Sequence, residues 1–486
     1  MPRARRKEGT CLNGCKQREQ DALREECGVF GVSLQKEGEA AGLCYNGLLA
    51  LQHRGQEGAG IAAARDNALC CRKGLGLVTE ALSPQVMEEF PGAAQAIGHV
   101  RYSTTGANTV GNVQPFVTEF LTGRIATAHN GNVVNAREIR EKLTSFGLEF
   151  TATSDSEVVS SLIAYKVMRA KDFVTGVKEA CRLLRGAFSL VVLSGDGRMV
   201  AVRDPNGFRP LCLGENGSGV AVASESCALD SCGFRFLRDV KPGEAVLLEN
   251  GRILHSELCL QGPRKSMCVF EYVYFSRPDS VLDGQSVYEA RLHMGRMLAR
   301  EHPVEADVVC GVPDSGLEAA MGYSLESGIP TATGFVKNRY IGRSFIFPTQ
   351  AQREHAVDLK LNPLRAAVAG KRVVLVDDSI VRGTTCDRIV AAVRRAGAKE
   401  VHLRISSPPF RHTCYYGTDI GSEENLIANQ LSISDIEKKT GADTLGYISV
   451  EGLLEACGEC GLPLCTGCFT GDYPGPVEEA PKDSLE

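Results

Sequence analysis

Two segments of the 486-residue chain combine side chains that could perform chemistry. Cys27 begins the run Cys-Gly-Val-Phe-Gly, and a cysteine at a free N-terminus carries its own base, because the α-amino group can accept the thiol proton. Much later, the apolar segment 373–376 is followed by Asp377, Asp378 and a hydroxyl-rich loop that ends at Thr385. Paired carboxylates can accept hydrogen bonds from sugar hydroxyls and help to hold Mg²⁺. The first segment predicts a thiol nucleophile, and the second predicts a site for a phosphorylated sugar.

The segment before Cys27 predicts a leader that is removed. Residues 1–26 are polar and end in Glu25 and Glu26, so that cleavage after Glu26 would free the α-amino group of Cys27. The segment has basic residues but no apolar core, which excludes a secretory signal. The nineteen cysteines are therefore expected in a reducing compartment, mostly as free or metal-bound thiols.

The composition favours a cytoplasmic protein with small-molecule partners. Apolar residues make up 43% of the chain, enough for two or three ordinary cores. The formal net charge is -5 and the charges are interspersed, so that there is no basic face for nucleic acid. No apolar run approaches the roughly 18 residues needed to cross a bilayer, and no membrane partner is expected.

The sequence pattern changes near residue 262. From Cys27 to about residue 261, short β-branched runs alternate with turn signals, which predicts a strand-rich domain. Residues 262–473 alternate strand, loop and helix, which predicts a parallel sheet with ligands at the carboxyl ends of its strands. Residues 474–486 are acidic and contain proline, as is typical of a disordered tail.

Apolar periodicity and stop signals place several elements along the chain. The predicted helices are Ala136–Phe146, Val158–Met168, Leu317–Ser327 and Cys386–Ala396. The predicted parallel strands are Asp307–Cys310 and Val373–Val376. Each of these strands leads into a loop that could bind phosphate.

Four segments in the first half resemble the glutamine amidotransferases of the N-terminal-nucleophile hydrolase class, which have an αββα sandwich. In chain order they are Gln52–Glu57, Gly98–Gly106, His129–Asn132 and Ser154–Glu157. The resemblance implies that Arg101 binds the α-carboxylate of glutamine and that Asp155 binds its α-amino group. It also implies an oxyanion hole formed by Asn130 and the Gly131 amide, with Cys27 as nucleophile. Asn-Gly is also the favoured dipeptide of a hairpin turn, and that alternative is the weaker one here.

The second half resembles the phosphoribosyltransferases rather than a P-loop or a dinucleotide-binding protein, because it lacks both of those glycine patterns. The loop after the Asp pair would bind phosphoribosyl pyrophosphate, and Gly311–Gly316 would hold the pyrophosphate. Lys337–Arg343 would form a cationic lid over the leaving group. The implied phosphoribosyl pyrophosphate ligands are Asp377, Asp378, Ser379, Val381, Arg382, Gly383, Thr384, Thr385, Lys337 and Arg339. The implied Mg²⁺ ligands are Ser315, Asp377 and Asp378.

Together these segments resemble the amidophosphoribosyltransferase family from Cys27 to Tyr473. The resemblance implies that glutamine is hydrolysed at Cys27 and that the ammonia passes internally to C1 of phosphoribosyl pyrophosphate. The products would be phosphoribosylamine, pyrophosphate and glutamate, in the first step of purine synthesis. It also implies a homotetramer that purine nucleotides inhibit.

Cysteines near the C-terminus predict a metal centre of one of two kinds. By spacing alone, two CxxC pairs favour a four-thiolate zinc site formed by Cys457, Cys460, Cys465 and Cys468. Resemblance to the leader-bearing, iron–sulfur members of the family implies instead a [4Fe-4S] cluster. The implied cluster ligands are Cys268, Cys414, Cys465 and Cys468. In that case Cys457 and Cys460 depart from the family pattern, which leaves zinc binding or a redox pair open for them.

Two other functions fit part of the pattern. A related amidotransferase could pass ammonia to a sugar phosphate or to an aspartyl-adenylate, but the signature at 373–385 argues against both acceptors. A non-catalytic sensor could use a phosphoribosyltransferase fold, as purine repressors can. The complete set of amidotransferase segments and the absence of a basic DNA-binding segment argue against a sensor.

Overall fold

A computed structural model describes residues 26–90, 92–102, 108–338, 361–418, 420 and 422–477. The predicted leader other than Glu26, most of the predicted tail, and Arg339 with the rest of the predicted lid lie outside these ranges. In the described part of the chain, no helix is long and apolar enough to cross a membrane. The cytoplasmic location stays a prediction.

Thirteen strands of the described chain form the two sheets of the first half. They are β1 (Gly28–Leu34), β2 (Gly58–Arg65), β3 (Ala68–Leu75), β4 (Gln95–Arg101), β5 (Phe116–Phe120), β6 (Gly123–Val133), β7 (Gly186–Ser194), β8 (Met199–Arg203), β9 (Cys212–Asn216), β10 (Gly219–Ala223), β11 (Arg235–Asp239), β12 (Glu244–Glu249) and β13 (Arg252–Leu258). One sheet has the order β11-β9-β10-β1-β4-β2-β3, and the other has the order β13-β12-β8-β7-β6-β5. All pairings in both sheets are antiparallel.

The two sheets pack face to face through a shared apolar core. Val29 and Val222 from the first sheet and Val191 and Met199 from the second belong to one buried cluster. A Cβ at Gly31 would lie 2.9 to 3.0 Å from side-chain atoms of Met199, Val222 and Val191, so that glycine lets β1 approach the opposite sheet. Close packing therefore fixes the strand that follows Cys27.

Helices cover the outer faces of both sheets. They are α1 (Ala40–Ala50), α2 (Val78–Ala81), α3 (Pro84–Met87), α4 (Ala136–Ser145), α5 (Asp155–Ala170), α6 (Phe173–Cys181) and α7 (Ser226–Ser231), with a 3₁₀ turn at Val110–Asn112. The first three and α7 share a core with the first sheet, and α4, α5 and α6 share one with the second. The layers follow the order αββα, which confirms the predicted sandwich.

The α5 helix begins earlier than its apolar pattern indicated. Ser154 is the N-cap and its Oγ accepts a hydrogen bond from the Ser156 amide, so that Asp155 becomes the first helical residue. The apolar period that begins at Val158 marks only the part that contacts the sheet. The cap thus places Asp155 at the positive end of the helix.

The second half contains a parallel sheet flanked by helices, as predicted. The remaining strands are β14 (Met267–Cys268), β15 (Val281–Leu282), β16 (Gln285–Ser286), β17 (Val308–Gly311), β18 (Phe335–Lys337), β19 (Leu361–Pro363), β20 (Arg372–Asp377), β21 (Glu400–Ile405), β22 (Thr444–Tyr447) and β23 (Leu464–Cys465). The four-stranded parallel sheet has the order β17-β20-β21-β22. Because β17 and β20 are adjacent and parallel, the two predicted phosphate loops leave the same edge of this sheet.

The helices of the second half lie close to their predicted positions. They are α8 (Val287–Glu301), α9 (Gly316–Ser327), α10 (Arg365–Val368), α11 (Thr384–Arg395), α12 (Ile427–Gln430), α13 (Ile433–Thr440), α14 (Val450–Ala456) and α15 (Gly467–Thr470), with a π-helix at Glu271–Phe275 and a 3₁₀ turn at Glu423–Asn425. The halves share a core: the Phe208 ring stacks on Tyr416 with 4.1 Å between centroids. The boundary between residues 261 and 262 stays a prediction.

Candidate functional site

Cys27 lies immediately before β1 in a buried position. Its Sγ donates a weak hydrogen bond to the Tyr102 carbonyl at 3.4 Å. Burial raises the pKa of the Cys27 thiol to about 11, although the Tyr102 bond and the charge of Arg101 oppose the rise. At neutral pH this thiol is protonated, so a nucleophilic role requires a base that removes its proton.

The backbone on both sides of Cys27 is held by buried arginines. Arg54 Nε donates to the Cys27 carbonyl at 3.0 Å, and the Arg54 guanidinium also pairs with Glu271. On the other side, the Glu26 carboxylate forms an ion pair of 2.7 Å with Arg209. Burial raises the pKa of Glu26 to about 7 against the opposing charge of Arg209. Residues 26 and 27 are therefore packed in the interior.

Asn130 and Gly131 lie within β6 rather than at a turn, which excludes the hairpin alternative. They pair with Ser189 and Phe188 of β7. Asn130 is fully buried, and neither its Nδ2 nor its Oδ1 has a hydrogen-bond partner among the described residues. A buried amide without a partner is costly. Such a donor is what an oxyanion hole keeps for its ligand.

Gly131 has a backbone conformation that other residues rarely adopt. Its φ is +144°, and a Cβ there would lie 2.1 Å from the Ala187 carbonyl oxygen. A side chain at this position would therefore collide with β7 and push β6 away from it. The close approach of β6 and β7 therefore requires glycine at position 131.

Arg101 and Asp155 come from distant segments to the surroundings of Cys27. Arg101 is the last residue of β4; burial lowers its pKa, whereas the neighbouring acidic groups of Cys27, Glu57 and Asp155 raise it. Asp155 Oδ2 accepts a hydrogen bond of 3.0 Å from the amide of Val133, the last residue of β6. A cation and an anion beside a thiol provide complementary contacts for the α-carboxylate and α-amino groups of an amino acid.

Asp377 and Asp378 follow the last apolar residue of β20. Burial raises the pKa of Asp377 well above its ordinary value, and the adjacent Asp378 charge raises it further. Ser315, from the loop after β17, donates to Asp378 Oδ2 at 2.5 Å, and Ser379 donates to its Oδ1 at 2.5 Å. The structure thus brings together the three predicted Mg²⁺ ligands. A divalent cation between them would offset the repulsion between the two carboxylates.

The rest of the predicted phosphate loop leads into α11. Gly383 is the N-cap of this helix and has a φ of +88°, which favours glycine. Thr384 and Thr385 are the first two helical residues, and Val381 and Gly383 are buried. Lys337 forms an ion pair with Asp314 of the other loop. This ion pair connects the first residue of the predicted lid to the predicted pyrophosphate loop, Gly311–Gly316.

The four cysteines of the predicted cluster come from three segments that meet. Cys268 and Cys465 are opposite each other in the parallel pair of β14 and β23. Burial raises the pKa of Cys468, and the charges of Cys414, Cys268 and Cys465 raise it further. The surroundings of the Cys460 thiol are different. Burial raises its pKa, a hydrogen bond with Tyr272 lowers it, and the charge of Asp283 raises it.

Across the described ranges, no three or more His, Cys, Asp or Glu side chains are arranged to hold a metal ion. The predicted ligand set nevertheless consists of four thiols, the donors that bind iron–sulfur groups in proteins. The cluster and zinc ligand sets both stay predictions.

A buried charge network between the halves was not predicted from the sequence. Glu225 forms an ion pair of 2.6 Å with Arg54, and its other oxygen accepts bonds from the Arg277 amide and the Ser280 hydroxyl. Glu271 also pairs with Arg54, from the start of the π-helix. The segment Gln52–Glu57 stands out by resemblance, but nothing in it indicates which distant carboxylates meet Arg54.

Comparisons with known proteins match both halves of the chain. Residues 99–231 match a glutamine amidotransferase domain, and residues 286–407 match a phosphoribosyl transferase domain. The chain is similar to the amidophosphoribosyltransferase of Methanothermobacter thermautotrophicus, with 47% identity over 94% of this chain and 96% of the relative.

Two solved structures have the same fold over nearly the whole chain. One is the glutamine phosphoribosylpyrophosphate amidotransferase from B. subtilis complexed with ADP and GMP, with 46% identity, a TM-score of 0.85 and coverage of 93% of this chain and 98% of that one. The other is described as the allosteric regulatory enzyme of purine biosynthesis, with 46% identity, a TM-score of 0.85 and coverage of 93% and 97%.

Proposed function

The chain belongs to the amidophosphoribosyltransferase family, which carries out glutamine-dependent amidotransfer to phosphoribosyl pyrophosphate in purine synthesis, and from this we propose how its two sites divide the reaction. The amidotransferase half releases ammonia from glutamine, and the phosphoribosyl half adds that ammonia to C1 of the sugar. The observation that carries this assignment is the meeting of Cys27, Arg101 and Asp155, which are far apart in sequence.

In the first site, Cys27 is the nucleophile and glutamine is held at both ends. Arg101 pairs with the α-carboxylate of glutamine, and Asp155 pairs with its α-amino group. The thiolate attacks the amide carbon, and the new negative charge on oxygen is accepted by Asn130 Nδ2 and the Gly131 amide. Such donors contribute about 3 to 4 kcal/mol each to transition-state stabilisation. Ammonia leaves, and water then hydrolyses the thioester to glutamate.

The base for this step is the α-amino group of Cys27, which exists only after residues 1–26 are removed. A free amine of pKa about 7.7 to 8.0 can take the thiol proton and later give it to the departing ammonia. The pKa of about 11 for the buried Cys27 thiol supports the need for such a base. Cleavage between Glu26 and Cys27 therefore activates the site.

In the second site, ammonia attacks C1 of the ribose as the C1–O bond to pyrophosphate breaks. Asp377 and Asp378 accept hydrogen bonds from the ribose hydroxyls, and residues 379–385 surround the 5′-phosphate at the N-terminus of α11. Ser315 and the two aspartates would hold Mg²⁺, which supplies charge neutralisation for the pyrophosphate when it is bound. Lys337 and Arg339 cover the leaving group, and exclusion of water prevents hydrolysis of the substrate.

Inhibition by purine nucleotides and the oligomeric state are proposed from the similarity to relatives. The B. subtilis relative was solved with ADP and GMP, which supports purine nucleotides as feedback inhibitors of this enzyme. A homotetramer and the internal passage of ammonia belong to the same proposal. The domains are proposed to span 27–261 and 262–473.

A [4Fe-4S] cluster is proposed to join the start of the second half to its C-terminal segment. The three cysteine segments that meet at β14 and β23 support this ligand set. Iron and sulfide analysis of purified protein, with a visible spectrum, tests it. Zinc without iron would return the ligand set to the two CxxC pairs. Cys465→Ser should lower the folded yield, whereas Cys457→Ser, a control outside the proposed set, should retain the iron.

The activating cleavage is tested by N-terminal sequencing together with a pyrophosphate-release assay. The expected result is that active protein begins at Cys27 and, without added ammonium, releases pyrophosphate only when both glutamine and phosphoribosyl pyrophosphate are present. Fully active protein that still begins at Met1 would contradict the proposed base. Binding of phosphoribosyl pyrophosphate without release of pyrophosphate would favour the sensor alternative.

A further inference from the structure

Gln114 is buried, and its whole side-chain amide is hydrogen-bonded. Its partners are Ser156 and the oxyanion strand, which is the part of β6 that bears Asn130 and Gly131. Its Nε2 donates to the His129 carbonyl at 3.1 Å and to Ser156 Oγ at 3.1 Å. Its Oε1 accepts from the His129 amide at 2.7 Å. The two bonds to His129 form a bidentate pair with one backbone residue: one bond holds the N–H of the peptide before His129, and the other holds the carbonyl of the peptide after it.

The pair continues a strand ladder that has otherwise ended. Phe116 of β5 is opposite Thr127 of β6, and the same register would place residue 114 opposite His129. There β5 has already ended, and the Gln114 side chain takes over the hydrogen bonds that a strand backbone would make. On its other edge β6 pairs with β7 along this whole stretch. The strand is therefore held from both sides up to the residue before Asn130.

His99 adds a second donor to the same carbonyl. Its Nε2 lies 3.0 Å from the His129 oxygen, and burial lowers the pKa of His99 to about 3, so the ring is neutral. A neutral ring facing a carbonyl must carry its proton on Nε2. The His129–Asn130 peptide unit is thus bonded from two directions.

Ser156 links the oxyanion strand to the proposed glutamine-binding carboxylate. Besides its bond from Gln114, Ser156 Oγ lies 3.0 Å from His129 Nδ1 and 3.2 Å from Asp155 Oδ1. Gln114 therefore contacts the strand that bears Asn130 directly and contacts Asp155 only through Ser156. The two connections can be separated by mutation.

We propose that Gln114 is a positioning residue for glutamine hydrolysis: its side-chain amide holds the His129–Asn130 peptide and so sets where Asn130 Nδ2 and the Gly131 amide meet the developing oxyanion. This inference rests on the proposed oxyanion role of Asn130. Displacement of a preorganised donor by a fraction of an ångström weakens transition-state binding more than substrate binding. The consequence is a selective effect on kcat.

Gln114→Met is the first test, because methionine is similar in length and shape but cannot pair with His129. The glutaminase kcat is expected to fall about 10- to 100-fold, with the KM for glutamine changed less than about threefold. Ammonia-supported synthesis and the rate at which iodoacetamide alkylates Cys27 should match those of the unmutated enzyme. Ser156→Ala is the matched control: it keeps the Gln114–His129 pair and should raise KM more than it lowers kcat.

Gln114→Glu gives a second readout that packing alone would not produce. An ionised carboxylate repels the His129 carbonyl, whereas a protonated one can donate to that carbonyl and accept from the His129 amide. The activity of Gln114→Glu relative to Gln114→Met at the same pH should therefore rise as the pH falls from about 8 to about 6. A flat ratio overturns the proposal. If Gln114→Met does not fold, the unmutated enzyme replaces it as the reference, and a flat ratio of Gln114→Glu to that enzyme overturns the proposal.

The other outcomes are equally decisive. An increase of KM with unchanged kcat in Gln114→Met would place Gln114 in substrate binding, and an equal loss of ammonia-supported synthesis would make it merely structural.

The glutaminase activity of Asn130→Ala is measured in the same assay as that of Gln114→Met. If Asn130→Ala keeps its glutaminase activity, the proposed oxyanion hole fails; if Asn130→Ala is impaired and Gln114→Met is not, only the role of Gln114 fails.

Discussion

The two candidate sites are built in different ways from the same chain. Around Cys27, the key residues lie on or next to strands of the sandwich, and Asn130 is fully buried within β6. Around Asp377 and Asp378, they lie in loops at the carboxyl ends of β17 and β20. Sheet interiors hold donors rigidly, as an oxyanion requires, whereas strand-end loops can adjust around a large charged ligand.

The electrostatics of the two sites also differ. Cys27 has Arg101 nearby, whose positive charge favours the thiolate against the effect of burial. At the second site, burial and mutual repulsion raise the pKa of Asp377, which favours a bound cation. The first site is prepared for charge that forms during reaction, and the second for charge that its ligand brings.

The largest difference between the sites should appear in Cys27→Ala, expressed as a chain that begins at residue 27. Glutamine-dependent synthesis should fall by about 10³-fold or more, because the nucleophile is lost. Synthesis with ammonium at a pH that supplies free NH₃ should continue, since the loops around Asp378 are unchanged. The measurement is pyrophosphate release with each nitrogen source. Loss of both activities in a folded protein would contradict the division of labour.

Asn130→Ala should be the next most severe change. It removes one oxyanion donor while leaving Cys27 in place, so the glutaminase kcat should fall about 10²- to 10³-fold. Steady-state glutaminase assays measure this loss, and ammonia-supported synthesis serves as the internal control. Unchanged kcat would mean that the unpartnered Asn130 amide does not face the reacting carbonyl.

Asp378→Asn should have the opposite selectivity. Synthesis from either nitrogen source should fall by about 10²-fold, because the Mg²⁺-pyrophosphate substrate loses a carboxylate that holds it in reactive geometry. Glutamate formation at Cys27 should persist. Asp307→Asn, at the opposite end of β17, is a control for charge removal and should leave both activities near normal. A selective loss of glutaminase in Asp378→Asn would reverse the assignment of the two sites.

The smallest effect concerns the contact between the halves. Ser280→Ala removes a buried bond of 2.7 Å to Glu225 and should lower the free energy of unfolding at pH 7 by about 1.5 to 3 kcal/mol. Burial raises the pKa of Glu225, but the charges and hydrogen bonds of His53 and Arg54 lower it more, so that this pKa lies well below its ordinary value. A lowered pKa means that this stabilisation is present above pH 4.5 and is lost as the pH falls further.

Denaturant unfolding at pH 7 measures the change in Ser280→Ala, because Glu225 is charged in the folded protein at that pH. The matched control is Ser231→Ala, whose hydroxyl donates to the neutral Cys227 carbonyl at 2.7 Å. Its penalty should be smaller, about 0.5 to 1.5 kcal/mol, because neither partner is charged. Equal penalties for the two variants would show that the Glu225 charge does not matter there.

Much of the fold followed from local patterns. The strands before the two phosphate loops and the helices after them were predicted, because apolar period, caps and glycine stops are encoded by neighbouring residues. The αββα layers were implied by the family resemblance instead. The start of α5 was placed late because the apolar period does not include the capped first turn. The conformation of Asn130 and Gly131 was ambiguous, since the same dipeptide suits a hairpin turn and a close strand pair.

The sequence by itself determined the family, and it predicts which side chains carry the chemistry: a cysteine that could become N-terminal and paired aspartates at a strand end, with an arginine and an aspartate for an amino acid implied by resemblance. Only the tertiary structure decided what holds them. Arg54 meets Glu225 and Glu271, and Gln114 meets His129, across separations that leave no local pattern. Buried polar groups must find partners wherever the folded chain provides them, and that choice depends on packing rather than on sequence neighbours.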